Sequence, residues 1–162
     1  MRRFARLLVF GALIAALVLP IGTVSATSTT VTYGLSGVEY AATDEQGSFA
    51  GVAWSGREIG VWQAVVDHDP LVDGDADITG GTFVLHSKVR HIVGDILSGG
   101  LVDRLTTSEC GKETFQVTGA LELAGGGTGV FGVLLTHYRY RTWSGQCITY
   151  FATVRGGATF TL

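Results

Sequence analysis

The chain has 162 residues, and its 14 acidic against 11 basic side chains give a net charge of −3 with histidine neutral. This balance argues against a nucleic-acid partner, because such proteins need a basic face. The nine arginines against two lysines are typical of a GC-rich bacterial coding sequence.

Residues 1–26 have the pattern of a signal peptide. Arg2, Arg3 and Arg6 precede an apolar run, Leu7–Leu19, and small residues at 24–26 offer a cleavage site. The sequence therefore predicts bacterial export and a secreted domain, residues 27–162. The alternative is an uncleaved anchor, which would be the one contact with a membrane, because residues 7–26 are just long enough to span a bilayer.

The sequence of residues 27–162 predicts short strands separated by turns. They are rich in glycine, threonine and β-branched or aromatic residues, and no window shows a sustained helical period. The change of apolar parity across Ser36 and Gly37 predicts a β-bulge in the first strand. The predicted strands are Thr29–Ala42, Ser48–Trp54, Glu58–Val66, Ile78–Ser87, His91–Leu97, Leu101–Thr107, Thr114–Leu123, Val130–Arg141 and Cys147–Arg155, followed by a short tail, Ala158–Leu162.

This many strands in one domain indicates an all-β antiparallel fold, either an eight-stranded closed barrel or a β-sandwich. A short sequence motif that recurs along the chain favours the barrel. GSFAG, GGTF, GTGVFG and GGATF each place a glycine before or inside a strand that carries a phenylalanine. A glycine lets the strand bend, as closure requires, and the phenylalanine fills the interior.

An acidic loop lies between the third and fourth predicted strands. Asp73, Asp75 and Asp77 alternate like the first ligands of a calcium loop. An EF-hand would need glycine at Ile78 and glutamate at Val84, so that motif is absent. Either the loop is a Ca²⁺ site, which would be the one cofactor, or its aspartates accept hydrogen bonds from their own backbone.

Two further pairs of residues carry potential chemistry. Cys110 and Cys147 are the two cysteines of the chain, and in an oxidising compartment they predict a disulfide. His86 and His91 lack the i, i+2 spacing that puts two imidazoles on one face of a strand. A metal ion shared by them would need a tight turn between the two histidines.

The last hairpin is the best candidate for a ligand site. One face of Val130–Arg141 carries His137, Arg139 and Arg141 beyond an apolar row, and the other carries Tyr138 and Tyr140. If the first face lines a cavity, its cations would meet an anionic head group. If the second does, Tyr138, Tyr140 and Tyr150 would hydrogen bond to a ligand. Otherwise the cations are solvated and the tyrosines cap the core, because a shift of one residue exchanges the faces.

The phrases GSFAG and GTGVFGVLLTHYR, in a secreted all-β chain of this size, resemble the allene oxide cyclase and dirigent-type barrel superfamily. The resemblance implies eight antiparallel strands around a central cavity. No catalytic motif of that superfamily can be placed here, so it implies no functional residues.

Three functions are compatible with the sequence. The first is binding of a small apolar or amphipathic ligand. The second is a cyclase- or dirigent-like activity in the cavity, which would call for a buried carboxylate such as Glu39, Glu58 or Glu122. The third is a structural role in the cell envelope. Binding or structural roles are favoured over an enzyme because no acid–base pair is evident in the sequence.

Overall fold

The computed structural model describes residues 28–106 and 110–162, and every regular element in them is a β-strand. The predicted signal peptide, residues 1–26, lies outside the described residues, as does Thr107, where the sixth predicted strand ends. The strands are β1 (Thr30–Ala42), β2 (Gln46–Ser55), β3 (Glu58–His68), β4 (Ala76–Ser87), β5 (His91–Ile96), β6 (Gly100–Thr106), β7 (Lys112–Leu123), β8 (Thr128–Arg141) and β9 (Cys147–Thr161).

The strands form one closed antiparallel barrel, which confirms the predicted fold. Neighbours in sequence pair from β1 to β5 and from β6 to β9, and β9 pairs with β1 from Thr30↔Thr161 to Val38↔Thr153. Two strands share one of the eight positions. β5 pairs with the second half of β4 and with the end of β7, while β6 pairs with the beginning of β4 and the first half of β7. They run in the same direction and make one interrupted position of the barrel.

Alternating strand directions give the barrel two distinct ends. The loops at residues 43–45, 69–75 and 142–146 lie at one end, here called the pocket end. The turns at residues 56–57, 88–90 and 124–127 lie at the other, here called the closed end. Backbone hydrogen bonds between Thr29 and Leu162, 3.1 and 2.9 Å long, also join the ends of the described chain there.

The inward faces of all nine strands supply a single apolar core, and its aromatic rings lie against glycines. A Cβ atom on Gly47 would be 2.6 Å from the Phe49 ring, and one on Gly119 would be 2.6 Å from the Phe131 ring. Gly129 faces Phe160 in the same way, at 2.9 Å. Glycine in the recurring phrases therefore leaves room for an interior ring, in addition to the bending that the sequence analysis gave as its role.

Two details of the predicted strands are wrong. The tail beyond Arg155 is not separate, because β9 continues through Gly156 and Gly157 to Thr161. A Cβ on Gly156 would collide with the backbone of Gly132 and Val133, so glycine serves close strand approach there. The bulge of β1 is not at Ser36 and Gly37, where the register to β2 is regular, but between Glu39 and Ala41.

Within residues 28–106 and 110–162, no helix is long and apolar enough to cross a membrane.

Candidate functional site: a pocket at one end of the barrel

The barrel is not filled at its pocket end, where a cavity of about 390 Å³ opens between the loops. Its floor is apolar and is contributed by β2, β3, β6, β7 and β8. Its rim is polar, and half of the polar rim residues come from the end of β1 and the loop after it. The floor residues are Phe49, Val66, Val102, Phe115, Val117 and Leu135, and the polar rim residues are Glu39, Thr43, Asp44, Gln46, His68 and His137.

A second, smaller cavity of about 40 Å³ lies deeper in the barrel and is lined only by apolar side chains. It shares Phe49, Val66, Val117 and Leu135 with the floor of the larger cavity. These four side chains separate the two spaces. The interior below the pocket is therefore not packed solid.

The pocket contains one carboxylate–imidazole pair. His137 Nε2 lies 2.9 Å from Glu39 Oε2, and the side chains are only 20% and 9% exposed. The His137 ring packs against Phe115, with ring centres 5.3 Å apart. A carboxylate that holds an imidazole beside an apolar floor can fix the position of a ligand's polar group, and it can also orient the imidazole for proton transfer.

The position of this pair depends on the register of β1 and β8. Leu35, Gly37 and Glu39 lie on the inward face of β1, and the bulge follows immediately after Glu39. On β8, Val133, Leu135 and His137 follow one another on the inward face. The two side chains are 98 residues apart in sequence and meet because β1 and β8 both flank β9.

Of the predicted cationic row, only His137 lines the pocket. Arg139 is 3.1 Å from Glu113, whose other oxygen lies 3.5 Å from Arg104. Arg141 Nη1 donates a hydrogen bond to the carbonyl oxygen of Gly145, at 3.2 Å. The register to β9 shifts between Tyr138 and Arg139, where Tyr150 of β9 has no partner on β8.

The predicted tyrosines lie on the outer surface of the barrel. Tyr138 packs against Phe151, with ring centres 5.9 Å apart, and the ammonium of Lys112 lies 5.3 Å from the centre of the Tyr138 ring. Tyr140 and Tyr150 contact each other edge to face and are 48% and 64% exposed. The structure therefore does not bring these three tyrosines together with His137 in the pocket.

The aspartate loop forms a tight turn. Asp73 and Gly74 have positive φ angles of 54° and 98°, and Val72 and Asp75 form an isolated bridge. Asp75 Oδ1 accepts the N–H of Arg104 at 3.0 Å, and the Arg104 side chain donates to the carbonyl oxygen of Asp73. Among the described residues, Asp73, Asp75 and Asp77 are not gathered into a cluster of metal ligands. Calcium binding stays a prediction from the sequence.

The predicted disulfide is present between Cys110 and Cys147, whose Cα atoms are 5.6 Å apart. Cys147 begins β9, and Cys110 lies two residues before β7. The bond therefore ties the β8–β9 hairpin to the start of β7 at the pocket end.

A second polar cluster lies at the closed end, and the sequence analysis named only Glu58 of it, as a candidate buried carboxylate. The Tyr33 hydroxyl, fully buried, donates to Glu58 Oε1 at 2.6 Å, and the Ser87 hydroxyl donates to the same oxygen. Arg90 forms an ion pair with Glu58 Oε2. Glu58, Ser87 and Arg90 flank the two turns at this end, but no local pattern links them to Tyr33.

The cluster shifts the acidity of its members. Hydrogen bonds from Ser87 and then Tyr33 are the main reason that the pKa of Glu58 is lowered. Burial, followed by the hydrogen bond to Glu58, raises the pKa of Tyr33. Glu58 is thus held as a carboxylate and Tyr33 as a neutral phenol.

The Glu58 cluster makes stability fall in acid. Because the folded-state pKa of Glu58 is below its ordinary value of 4.5, its contribution is complete above pH 4.5 and is lost as the pH falls through the lower folded value. We expect Glu58→Gln to reduce the loss of thermal stability between pH 5 and pH 3, measured by circular dichroism at about one-unit pH steps.

Glu122→Gln is the matched control, because Glu122 is an exposed carboxylate of β7. It should leave the slope of melting temperature against pH unchanged. A Glu58→Gln curve parallel to the wild-type curve would contradict the assignment.

Comparison of the chain with protein-family models, curated proteins and solved structures finds no match in any of the three. The resemblance to the allene oxide cyclase and dirigent-type superfamily therefore stays a prediction from the sequence.

Proposed function

We propose that this protein binds a small amphipathic molecule in the cavity at the pocket end of the barrel. The observation that carries the proposal is the Glu39–His137 pair above an apolar floor in a space of about 390 Å³. Ligand pockets typically measure about 300–1,000 Å³ and combine apolar walls with a few polar groups that fix orientation. The apolar body of the ligand would lie on Phe49, Phe115 and Leu135.

The rim favours a ligand whose polar head donates hydrogen bonds and is neutral or cationic. Glu39 and Asp44 supply carboxylates, while Arg139 is paired with Glu113 outside the set of lining residues. The sequence analysis considered an anionic head group only for the case in which His137, Arg139 and Arg141 together line a cavity. An anionic head would have to approach two carboxylates, which costs free energy.

We also propose that the protein acts outside the cytoplasm. The signal-peptide pattern of residues 1–26 and the Cys110–Cys147 disulfide both favour an oxidising, exported location.

Blocking the opening of the pocket should weaken ligand binding. Ala42 is exposed and lies on the rim, so Ala42→Trp places an indole over the opening without disturbing the core. We expect it to weaken binding of the neutral fluorescent probe N-phenyl-1-naphthylamine by about tenfold or more, a loss of about 1.4 kcal/mol. A fluorescence titration measures this.

Val130→Trp is the control, since Val130 is 58% exposed on the outer face of β8. It should bind the probe like the wild type. The proposal fails if the wild type does not bind the probe, or if both tryptophan variants bind it equally. The anionic probe anilinonaphthalene sulfonate should bind less tightly than the neutral one, and Glu39→Gln should narrow that difference.

Catalysis in the same cavity is the alternative function, and the Glu39–His137 pair is the observation that favours it. A histidine oriented by a buried carboxylate can act as a general base or acid on a bound molecule. His137→Gln separates the two functions. If the protein is an enzyme, the wild type should convert its ligand chemically and the His137→Gln variant should not. If the protein only binds, the wild type itself should release the ligand chemically unchanged.

A further inference from the structure

His86 and His91 face each other across the hairpin formed by β4 and β5. The turn between them is tight, and the N–H of Ser87 donates to the carbonyl oxygen of Arg90 at 2.8 Å. His86 and His91 form the next pair of the ladder. Because hydrogen-bonded and non-hydrogen-bonded pairs alternate in an antiparallel ladder, this pair is a non-hydrogen-bonded one, in which the side chains lie closest.

Both imidazoles are exposed on the outside of the barrel, and their nitrogens have no protein partner among the described residues. Their ring centres are 5.3 Å apart with an angle of 88° between the ring planes, so the two side chains contact each other. The other two histidines differ. His137 is paired with Glu39, and His68 Nδ1 lies 2.7 Å from the carbonyl oxygen of Asp69.

The spacing of the two rings fits a shared metal ion. Two imidazoles bound to one tetrahedral Zn²⁺ at about 2.0–2.1 Å place their ring centres about 5 Å apart. The observed separation of 5.3 Å is close to this value, so rotation of the two exposed side chains about their χ angles, without movement of the backbone, can direct one nitrogen of each ring at the ion. The condition that the sequence analysis set, a tight turn between the histidines, is met by residues 87–90.

We propose that His86 and His91 form a surface site for a divalent transition metal ion. Imidazole nitrogens suit Cu²⁺, Ni²⁺ and Zn²⁺, and the general order of affinity places Cu²⁺ first. Within residues 28–106 and 110–162 no third histidine, cysteine or carboxylate completes the set. The ion therefore keeps its other coordination positions open to water or to an external ligand.

Isothermal titration of the full chain, produced without a polyhistidine tag, tests the site directly with CuCl₂ and ZnCl₂ as the probes. We expect one ion per chain and tighter binding of Cu²⁺ than of Zn²⁺. His86→Ala and His91→Ala should each weaken Cu²⁺ binding by about tenfold or more. Each variant removes one of the two imidazole ligands, so the ion is held by a single histidine and no longer by a chelate. Lys88→Ala, an exposed change in the turn between the two histidines, should bind Cu²⁺ like the wild type.

Electron paramagnetic resonance of the Cu²⁺ complex gives an independent measurement. The wild type should show two coordinated imidazole nitrogens, and each single variant should show fewer. Circular dichroism confirms that the variants fold, since both positions are exposed. The proposal is overturned if the wild type takes up no Cu²⁺ at millimolar concentration, or if either alanine variant keeps wild-type affinity and spectrum.

Discussion

Replacing Cys110 and Cys147 together by serine is expected to lower the free energy of unfolding by about 4 kcal/mol. The bond closes a loop with a sequence separation of 37 residues. In the chain-entropy description, cross-linking a loop of that length removes about this much conformational freedom from the unfolded chain. Urea denaturation of the oxidised wild type and of the double variant measures the difference.

Reduction of the wild type is the control for this result. Dithiothreitol should bring its unfolding midpoint to that of the Cys110→Ser, Cys147→Ser variant and should leave the variant unchanged. The backbone hydrogen bond from Arg139 to Gly111, 2.7 Å long, joins the same two segments without the disulfide. If the double variant is less than about 1 kcal/mol weaker than the wild type, the link contributes little beyond this hydrogen bonding.

Truncation of Phe160 to alanine should lower the free energy of unfolding by about 3–5 kcal/mol. Phe160 has no exposed surface, and its ring centre lies 5.6 Å from that of Phe83 and 6.1 Å from that of Tyr33. The ring also covers Gly129, so its loss leaves a cavity against bare backbone on β8. Chemical denaturation monitored by circular dichroism gives the value.

Phe151→Ala makes the same chemical change on the same strand. Phe151 is 47% exposed and lies on the outer face, so the cost should be no more than about 1 kcal/mol. Equal losses for the two variants would show that the inward and outward faces of β9 are wrongly assigned.

The barrel could be predicted from the sequence because its signals are local. Alternation of apolar residues along β3 and β5, and turn residues such as Ser55-Gly56-Arg57, need no knowledge of the distant chain. The glycine and phenylalanine phrases also favoured closure. However, glycine as a point of bending predicts that a strand ends before Gly156 and Gly157, whereas β9 continues through both.

The pocket could not be predicted, because its geometry depends on pairing between distant strands. The predicted bulge at Ser36 and Gly37 would turn the side chain of Glu39 outward, whereas the regular register there keeps it inward. Nothing near Glu39 in the sequence indicates a partner on β8. The sequence does not decide which face of β8 points inward, because both faces begin with apolar residues and end with polar or aromatic ones. The ion pair of Arg139 was also hidden, because its partner Glu113 lies on β7, 26 residues away in sequence.

The pairing of β1 with β9 has a consequence for the order of folding. The barrel closes by joining its first and last strands, so the final seam requires contacts between residues more than 110 positions apart in sequence, such as Val38 with Thr153. Contacts of such high sequence separation make folding slow, because the chain entropy is lost before the seam stabilises the fold. A polypeptide that has not yet supplied β9 exposes unpaired edges on β1 and β8, and until β9 is added these edges are free to pair with strands of other chains.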